Sequence, residues 1–358
     1  MLCPARSGIE ALKILITGSR GFVGGSVGRA AAGAGHEVLG VGRATQPPRD
    51  WPGAYAQADV VHSDLSGLVR EFAPDAVLHA AGTASVGASL SAPLDDLRAS
   101  LLTWANLLEG VRRSGLRPLV LFPSSAAVYG DLKETRADEE TPLAPISPYG
   151  FHKAACELLG REYAECFGLR VVVCRLFSLF GPTQRRLLVW ELYKQLSGPA
   201  QTVWLEGTGE EVRDYLHVED AAAAFLHLAG ALNREQTAEA TQTAREIEGA
   251  SESRVTSEAR TTSPAAADGS ARGSRRGAFV VVNVASGEQT NVLELAERLR
   301  ARIAPHKEVR CRGRVRAGDP RSWRACVSRL RELAPGWQPR PLAESLGDCV
   351  AAWQREPA

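Results

Sequence analysis

The stretch from Leu12 to Ala34 restricts this chain more than any other. A short apolar run, LKILIT, leads directly into Gly18-Ser19-Arg20-Gly21-Phe22-Val23-Gly24 and then into an alanine-rich helical pattern. Three glycines spaced G-x-x-G-x-x-G between a strand and a helix have a physical reason. The first permits an unusual turn, the second lets backbone approach a pyrophosphate, and the third lets helix and strand pack closely. The helix start then offers free N–H groups and a favourable dipole to phosphate oxygens. The pattern predicts dinucleotide binding, with Gly18, Arg20, Gly21, Phe22, Val23 and Gly24 at the cofactor.

The first half continues as it begins. Apolar runs at Glu37–Val41, Val60–His62, Ala76–Ala81, Leu119–Phe122 and Arg170–Cys174 read as strands. Helical patterns at Gly21–Ala34, Leu94–Arg113 and Tyr149–Phe167 fall between them. Near-continuous apolar strands alternating with helices predict an α/β fold, a doubly wound parallel sheet covered on both faces. Ser147 and Pro148 suit the N-cap and first position of the helix at Tyr149. A further strand begins at Phe279, followed by a helix from Asn291 to Ile303. Between them, 231–277 is rich in Ala, Thr, Ser, Glu and Arg, with only Leu232, Ile247 and Val255 as bulky aliphatics. It predicts a disordered insertion.

Composition narrows the partners. The formal net charge of the 358 residues is +1, which gives no reason to expect nucleic acid. No apolar stretch approaches the ~18 residues of a membrane span, and Met1–Glu10 lacks a signal-peptide pattern. The seven cysteines are scattered, odd in number and without a C-x-x-C pair. That argues against a disulfide framework or a metal site and suits a cytoplasmic protein.

The chemistry-bearing residues follow the fifth strand. Tyr149 and Lys153 stand four apart, on one face of a helix. A nearby ammonium predicts a Tyr149 hydroxyl whose pKa is lowered toward neutrality, ready to exchange a proton as hydride moves. Upstream, Pro123-Ser124-Ser125 ends a strand at the carboxyl edge of the sheet, where a serine hydroxyl can polarise a carbonyl oxygen. At the end of the second strand no acid is available for a ribose 2′-hydroxyl, and Arg43 can pair with a 2′-phosphate. The expected cofactor is therefore NADP in preference to NAD. Asp64, with Leu65, can reach an adenine amino group or serve as a turn residue. His79 reads as a hydrogen-bonded structural histidine, His152 as a surface neighbour of the site, and Cys156 and Cys166 as core or interface thiols.

Together these residues resemble the extended short-chain dehydrogenase/reductase family of nucleotide-sugar epimerases, dehydratases and 4-keto reductases. The motifs are TGSRGFVGG (17–25), SDL (63–65), HAAG (79–82), SSAAVYG (124–130), SPYGFHK (147–153), RLFSLFGP (175–182), RDYLHVED (213–220), VNVASGEQTNVLELA (282–296) and RAGDP (316–320). The resemblance implies a Rossmann domain over 1–180 and a smaller α/β domain for the nucleotide sugar over 181–358, with part of 214–230 packing back on the first. It implies a catalytic triad of Ser125, Tyr149 and Lys153, and cofactor contacts from Ala80, Ala81 and Gly82. For the substrate it implies Ser125, Ser178, Arg213 and Arg316, the arginines suiting pyrophosphate oxygens. It also implies a homodimer joined through the helices near 94–113 and 149–167.

Alanines at 126 and 127 stand where dehydratases of the family carry an acidic pair, which argues against 4,6-dehydration. The expected chemistry is hydride transfer at sugar C4, by an epimerase or by an NADPH-dependent reductase. A non-catalytic dinucleotide sensor is the alternative.

Overall fold

The computed structural model describes residues 11–133, 135–235, 277–314, 318 and 320–355. The first strand, β1 (Lys13–Thr17), alternates its side chains between two cores. Ile14 and Ile16 enter one and Leu15 the other. That alternation belongs to a sheet buried on both faces. After β1 the chain forms α1 (Phe22–Gly33), β2 (Glu37–Gly42), β3 (Ala54–Gln57), α2 (Leu65–Phe72) and β4 (Ala76–His79). Two short helices follow, α3 (Val86–Ser91) and α4 (Pro93–Leu97), then a π-helical turn at Arg98–Leu102 and α5 (Thr103–Ser114). β5 (Leu119–Ser125), α6 (Pro148–Phe167) and β6 (Arg170–Leu176) complete the first half.

The main sheet runs in the order Ala278–Val284, β6, β5, β4, β1, β2, β3, with every pairing parallel. This is the doubly wound Rossmann arrangement. The direction of winding reverses between β1 and β4, so a crevice opens at their carboxyl ends, where ligands bind in such sheets. Beyond β6 come β7 (Ser178–Phe180), α7 (Leu188–Ser197), β8 (Thr202–Leu205), β9 (Val212–Arg213) and β10 (Tyr215–His217). A helix, α8, covers 218–235, and its Phe225 and Leu228 pack with β1 and β6. The strand Ala278–Val284 is β11, paired along β6. A smaller C-terminal core joins Leu192 and Leu196 of α7 to Val203 and Leu205 of β8, and to Leu295, Leu346 and Trp353.

Four expectations from sequence change. Val60–His62 is a turn, because Asp59 accepts from Val61 N through its side chain and from His62 N through its carbonyl, both at 3.0 Å. The third strand is instead Ala54–Gln57, on the sheet edge. The helix expected over Leu94–Arg113 is interrupted by the π turn, where Thr103 Oγ1 donates to the Ala99 and Ser100 carbonyls at 2.7 and 3.1 Å. The segment expected to be disordered from 231 begins as helix. Leu232 packs on the core, and its carbonyl accepts from Arg170 at 2.7 Å. The remainder of that segment, 236–276, lies outside the described residues. His152 is no surface residue. Its side chain is 15% exposed and paired with Asp96.

Candidate active site

The glycine turn sits at the crevice. Gly18 has φ +71°, and a Cβ there would lie 2.5 Å from the Ala80 carbonyl. A Cβ on Gly24 would lie 2.5 Å from the Gly18 oxygen. Both contacts are with backbone, so neither position admits a side chain without moving a strand. Gly21 is the N-cap of α1, with no side-chain cap and no acidic residue in the first turn. The helix start therefore faces a cavity of about 1150 Å³ lined by Arg20, Gly21, Phe22 and Val23. These residues fit a dinucleotide pyrophosphate, which needs backbone donors and no opposing charge.

On the far side of the crevice, β4 ends at His79, and Ala80, Ala81 and Gly82 continue along the cavity wall. His79 is held between Thr17 Oγ1 at 2.9 Å and Thr103 Oγ1 at 3.3 Å. Burial, aided by the Lys153 charge, pushes it down to about 3, as befits a structural, neutral imidazole.

β5 runs to Ser125, whose Oγ accepts from Ala127 N at 3.2 Å. α6 starts one residue before Tyr149. Ser147 caps it by accepting from Gly150 N at 3.2 Å, and Tyr149 N donates to Ser89 Oγ of α3 at 3.1 Å. Ser125 and Tyr149 both line the cavity, with Ser125 among the groups that act on the Tyr149 hydroxyl. Lys153 Nζ donates to the Pro123 carbonyl at 2.8 Å, 4.6 Å from the Phe122 ring centroid and 5.8 Å from that of Tyr149. The structure thus brings Ser125, Tyr149 and Lys153 to one wall of the cavity.

The electrostatics differ from the expectation. Burial pushes the Tyr149 hydroxyl up to about 12, and the Ser125 side chain works against that rise. The Lys153 ammonium is itself lowered by burial, and one of its three N–H donors goes to the Pro123 carbonyl. Behind it, Ser124 donates to Glu157 at 2.5 Å, and Glu157 pairs with Arg175 at 2.8 Å, a buried ion pair that braces β5, β6 and α6.

The C-terminal half supplies the opposite wall. Ser178 begins β7, its N–H donating to the Asp214 carbonyl at 2.9 Å. Arg213 in β9 is buried over the Trp323 ring at 5.2 Å and donates to the Val212 carbonyl at 2.9 Å. Both line the cavity. Asp214 is fixed by Ser286 and Gly287 N–H groups at 2.8 and 2.9 Å, which ties this strand to the loop after β11. Burial raises its carboxyl to about 6.

Other expected residues stand elsewhere. Asp64 caps α2 by accepting from Ser66 N at 2.9 Å, and the Ser66 side chain together with that N–H holds its carboxyl below the usual range. Leu65 is in the core. Arg43 is exposed just after β2, its carbonyl accepting from Gln57 at 3.2 Å. None of the three lines the cavity. Arg20 lines it, and its guanidinium donates to the Gln46 carbonyl at 2.7 Å. Arg316 lies outside the described residues. Sequence reasoning missed Thr83, Arg186, Trp204 and Trp323, which also line the cavity. Thr83 directly follows the HAAG motif, a signal that could have found it, whereas only the folding of distant loops brings Arg186, Trp204 and Trp323 here. Cys156 is buried, as expected of a core thiol, and Cys166 is exposed.

Comparison with known proteins agrees with this fold. Residues 14–242 match the profile of the NAD dependent epimerase/dehydratase family. A UDP-glucose 4-epimerase of Mycolicibacterium smegmatis is 26% identical over 351 residues, covering 95% of this chain and 97% of that protein. A dTDP-glucose 4,6-dehydratase of the same organism is 31% identical over 229 residues, covering 60% of this chain and 67% of that one. The solved UDP-glucose 4-epimerase of Thermus thermophilus in complex with NAD superposes with a TM-score of 0.73 at 26% identity. That match covers 96% of this chain and 100% of the other.

Proposed function

The chain belongs to the NAD-dependent epimerase/dehydratase family of extended short-chain dehydrogenase/reductase enzymes, and on that premise we propose that it is a 4-epimerase of a nucleotide-activated hexose. The observation that carries this reading is a single cavity lined by the start of α1, by Ser125 and Tyr149, and by the buried Arg213. The near full-length likeness to a 4-epimerase supports it, and so do Ala126 and Ala127, which offer no acid for dehydration.

In this reading the glycine turn and Ala80–Gly82 hold the dinucleotide, which supplies a hydride acceptor at its nicotinamide ring. Tyr149 would react as the phenolate, a form that the Lys153 ammonium and a bound cationic nicotinamide would favour; its Oη would then take the proton of the sugar O4 hydroxyl, while the Ser125 hydroxyl donates to that same oxygen as it becomes a carbonyl. Lys153 contributes a positive charge beside the phenol and donors for ribose hydroxyls. The 4-keto sugar turns over, and the proton returns from Tyr149 as the opposite face is reduced. Arg213, and Arg316 with it, grip the pyrophosphate, and Ser178 faces the sugar. We assign 1–180 to the dinucleotide and 181–358 to the nucleotide sugar, with β11 returning to the first sheet.

Arg43 favours a second reading, an NADPH-dependent 4-keto reductase, because an exposed guanidinium after β2 suits a 2′-phosphate. One experiment separates the two. The purified protein is denatured, the released nucleotide identified, and the intact protein incubated with UDP-glucose while proton NMR follows UDP-galactose. Retained NAD with interconversion supports the epimerase. Empty protein that consumes NADPH with a 4-keto nucleotide sugar supports the reductase. Neither activity, with no affinity for either dinucleotide, overturns both.

A further inference from the structure

Thr83 follows the alanine pair after β4 and lines the cavity with Ser125 and Tyr149, yet the chemistry above does not use it. A threonine hydroxyl has one hydrogen and two lone pairs. Here the hydrogen is committed, because Thr83 Oγ1 donates to Oδ1 of Asp96. Asp96 is 3% exposed on α4, and its other oxygen accepts from His152 Nδ1 at 2.6 Å. The carboxylate is therefore gripped from the dinucleotide-side loop and from the catalytic helix at once. Ser100 Oγ lies 3.1 Å from Thr83 Oγ1. With the threonine hydrogen already given to Asp96, Ser100 is the donor in that pair, and it fills one of the two lone pairs.

One lone pair remains, on an oxygen in the cavity wall. We propose that Thr83 is a specificity-determining residue whose polarity is set by Asp96 and Ser100, so that it accepts a hydrogen bond from a ligand hydroxyl and rejects a ligand acceptor in the same place. Asp96 and His152 act through Thr83 as positioning residues. The π turn at Arg98–Leu102 is part of the device, since it lies between Asp96 and α5 and carries Ser100. Two ligand hydroxyls have this chemistry, one on the sugar and one on a dinucleotide ribose, and binding measurements tell them apart. The inference rests on the cavity being the nucleotide-sugar and dinucleotide site proposed above.

The test uses the full-length protein and two probes, NAD⁺ and UDP-glucose, with dissociation constants measured by calorimetry for wild type, Thr83→Val and Thr83→Ser. Valine keeps the shape and removes the oxygen. The expected result is a three- to tenfold loss, on the order of one hydrogen bond, for one probe with valine, and recovery to within about twofold with serine. A loss on UDP-glucose assigns the hydroxyl to the sugar. In that case one deoxyfluoro UDP-glucose binds wild type more weakly than the parent but binds Thr83→Val no worse than the parent does. A loss on NAD⁺ assigns it to the ribose. Thr83→Val binding both probes as wild type overturns the inference and leaves the proposed function standing, as does serine failing to restore binding. Wild type binding neither probe overturns the proposed function, and the inference falls with it.

Discussion

Tyr149 illustrates how a residue's surroundings decide its chemistry. Burial pushes its hydroxyl up to about 12, and the first influence that opposes this is the Ser125 side chain. Replacing Ser125 by alanine removes that support as well as the donor to the reacting oxygen. Turnover should fall about 10²-fold with KM within a few-fold, read from steady-state kinetics. Tyr149→Phe should lower turnover by about 10³-fold while dinucleotide affinity holds. His79 makes a different prediction. Its folded pKa of about 3 lies below the ordinary 6.5, so the unfolded chain binds a proton first as pH falls. The stability it contributes is complete above pH 6.5 and is lost between 6.5 and about 3, by roughly 1.4 kcal/mol per pH unit. Urea midpoints measured from pH 7 to pH 4 should fall more steeply for wild type than for His79→Asn. Equal slopes would show that the buried imidazole does not govern acid stability.

At the scale of elements, the site depends on where helices begin. α1 must start under the phosphates, and Gly24 leaves no room for change. The Cβ of Gly24→Ala would press on the Gly18 oxygen at 2.5 Å, so the variant should lose more than tenfold in dinucleotide affinity, measured by fluorescence titration. α6 must start at Pro148 for Tyr149 to meet Ser125, and Ser147 caps that start. Ser147→Ala should cost about 1 kcal/mol in chemical denaturation. The glycine turn, the Ser-Pro helix start and the placing of Tyr149 and Lys153 on one helix face were all legible in the sequence because each depends on neighbours a few residues away. The edge strand Ala54–Gln57 was not, since nothing local marks it apart from its pairing with β2. Nor was the break at Arg98–Leu102, where hydroxyls of Ser100 and Thr103 divert a helix whose apolar spacing runs straight through.

For the whole molecule, the outer surface of α6 carries a prediction. Phe151, Ala155 and Leu158 form an exposed stripe on α6, with Phe151 at 59% and Leu158 at 69% exposure, and Leu94 and Leu102 are exposed before α5. An apolar surface of this kind on two adjacent helices fits a second copy of the chain, the homodimer expected from the family resemblance. Light scattering should give a dimer for wild type and a monomer for the double variant Phe151→Asp, Leu158→Asp. A monomeric wild type would refute the assignment.

The division between sequence and structure follows from the range of the forces involved. The glycine spacing, the near-continuous apolar runs between helical patterns and the four-residue step from Tyr149 to Lys153 are short-range constraints. By themselves they determined the glycine turn, the parallel sheet and the shared helix face of Tyr149 and Lys153. Tertiary structure decided the rest. It placed Arg213 over Trp323, far along the chain, and turned Asp64 into a helix cap. It raised the Tyr149 pKa by burying the phenol, and it joined Thr83, Asp96 and His152 into one network. Burial and hydrogen-bond partnership depend on which distant segments close over a group, and no local pattern records that.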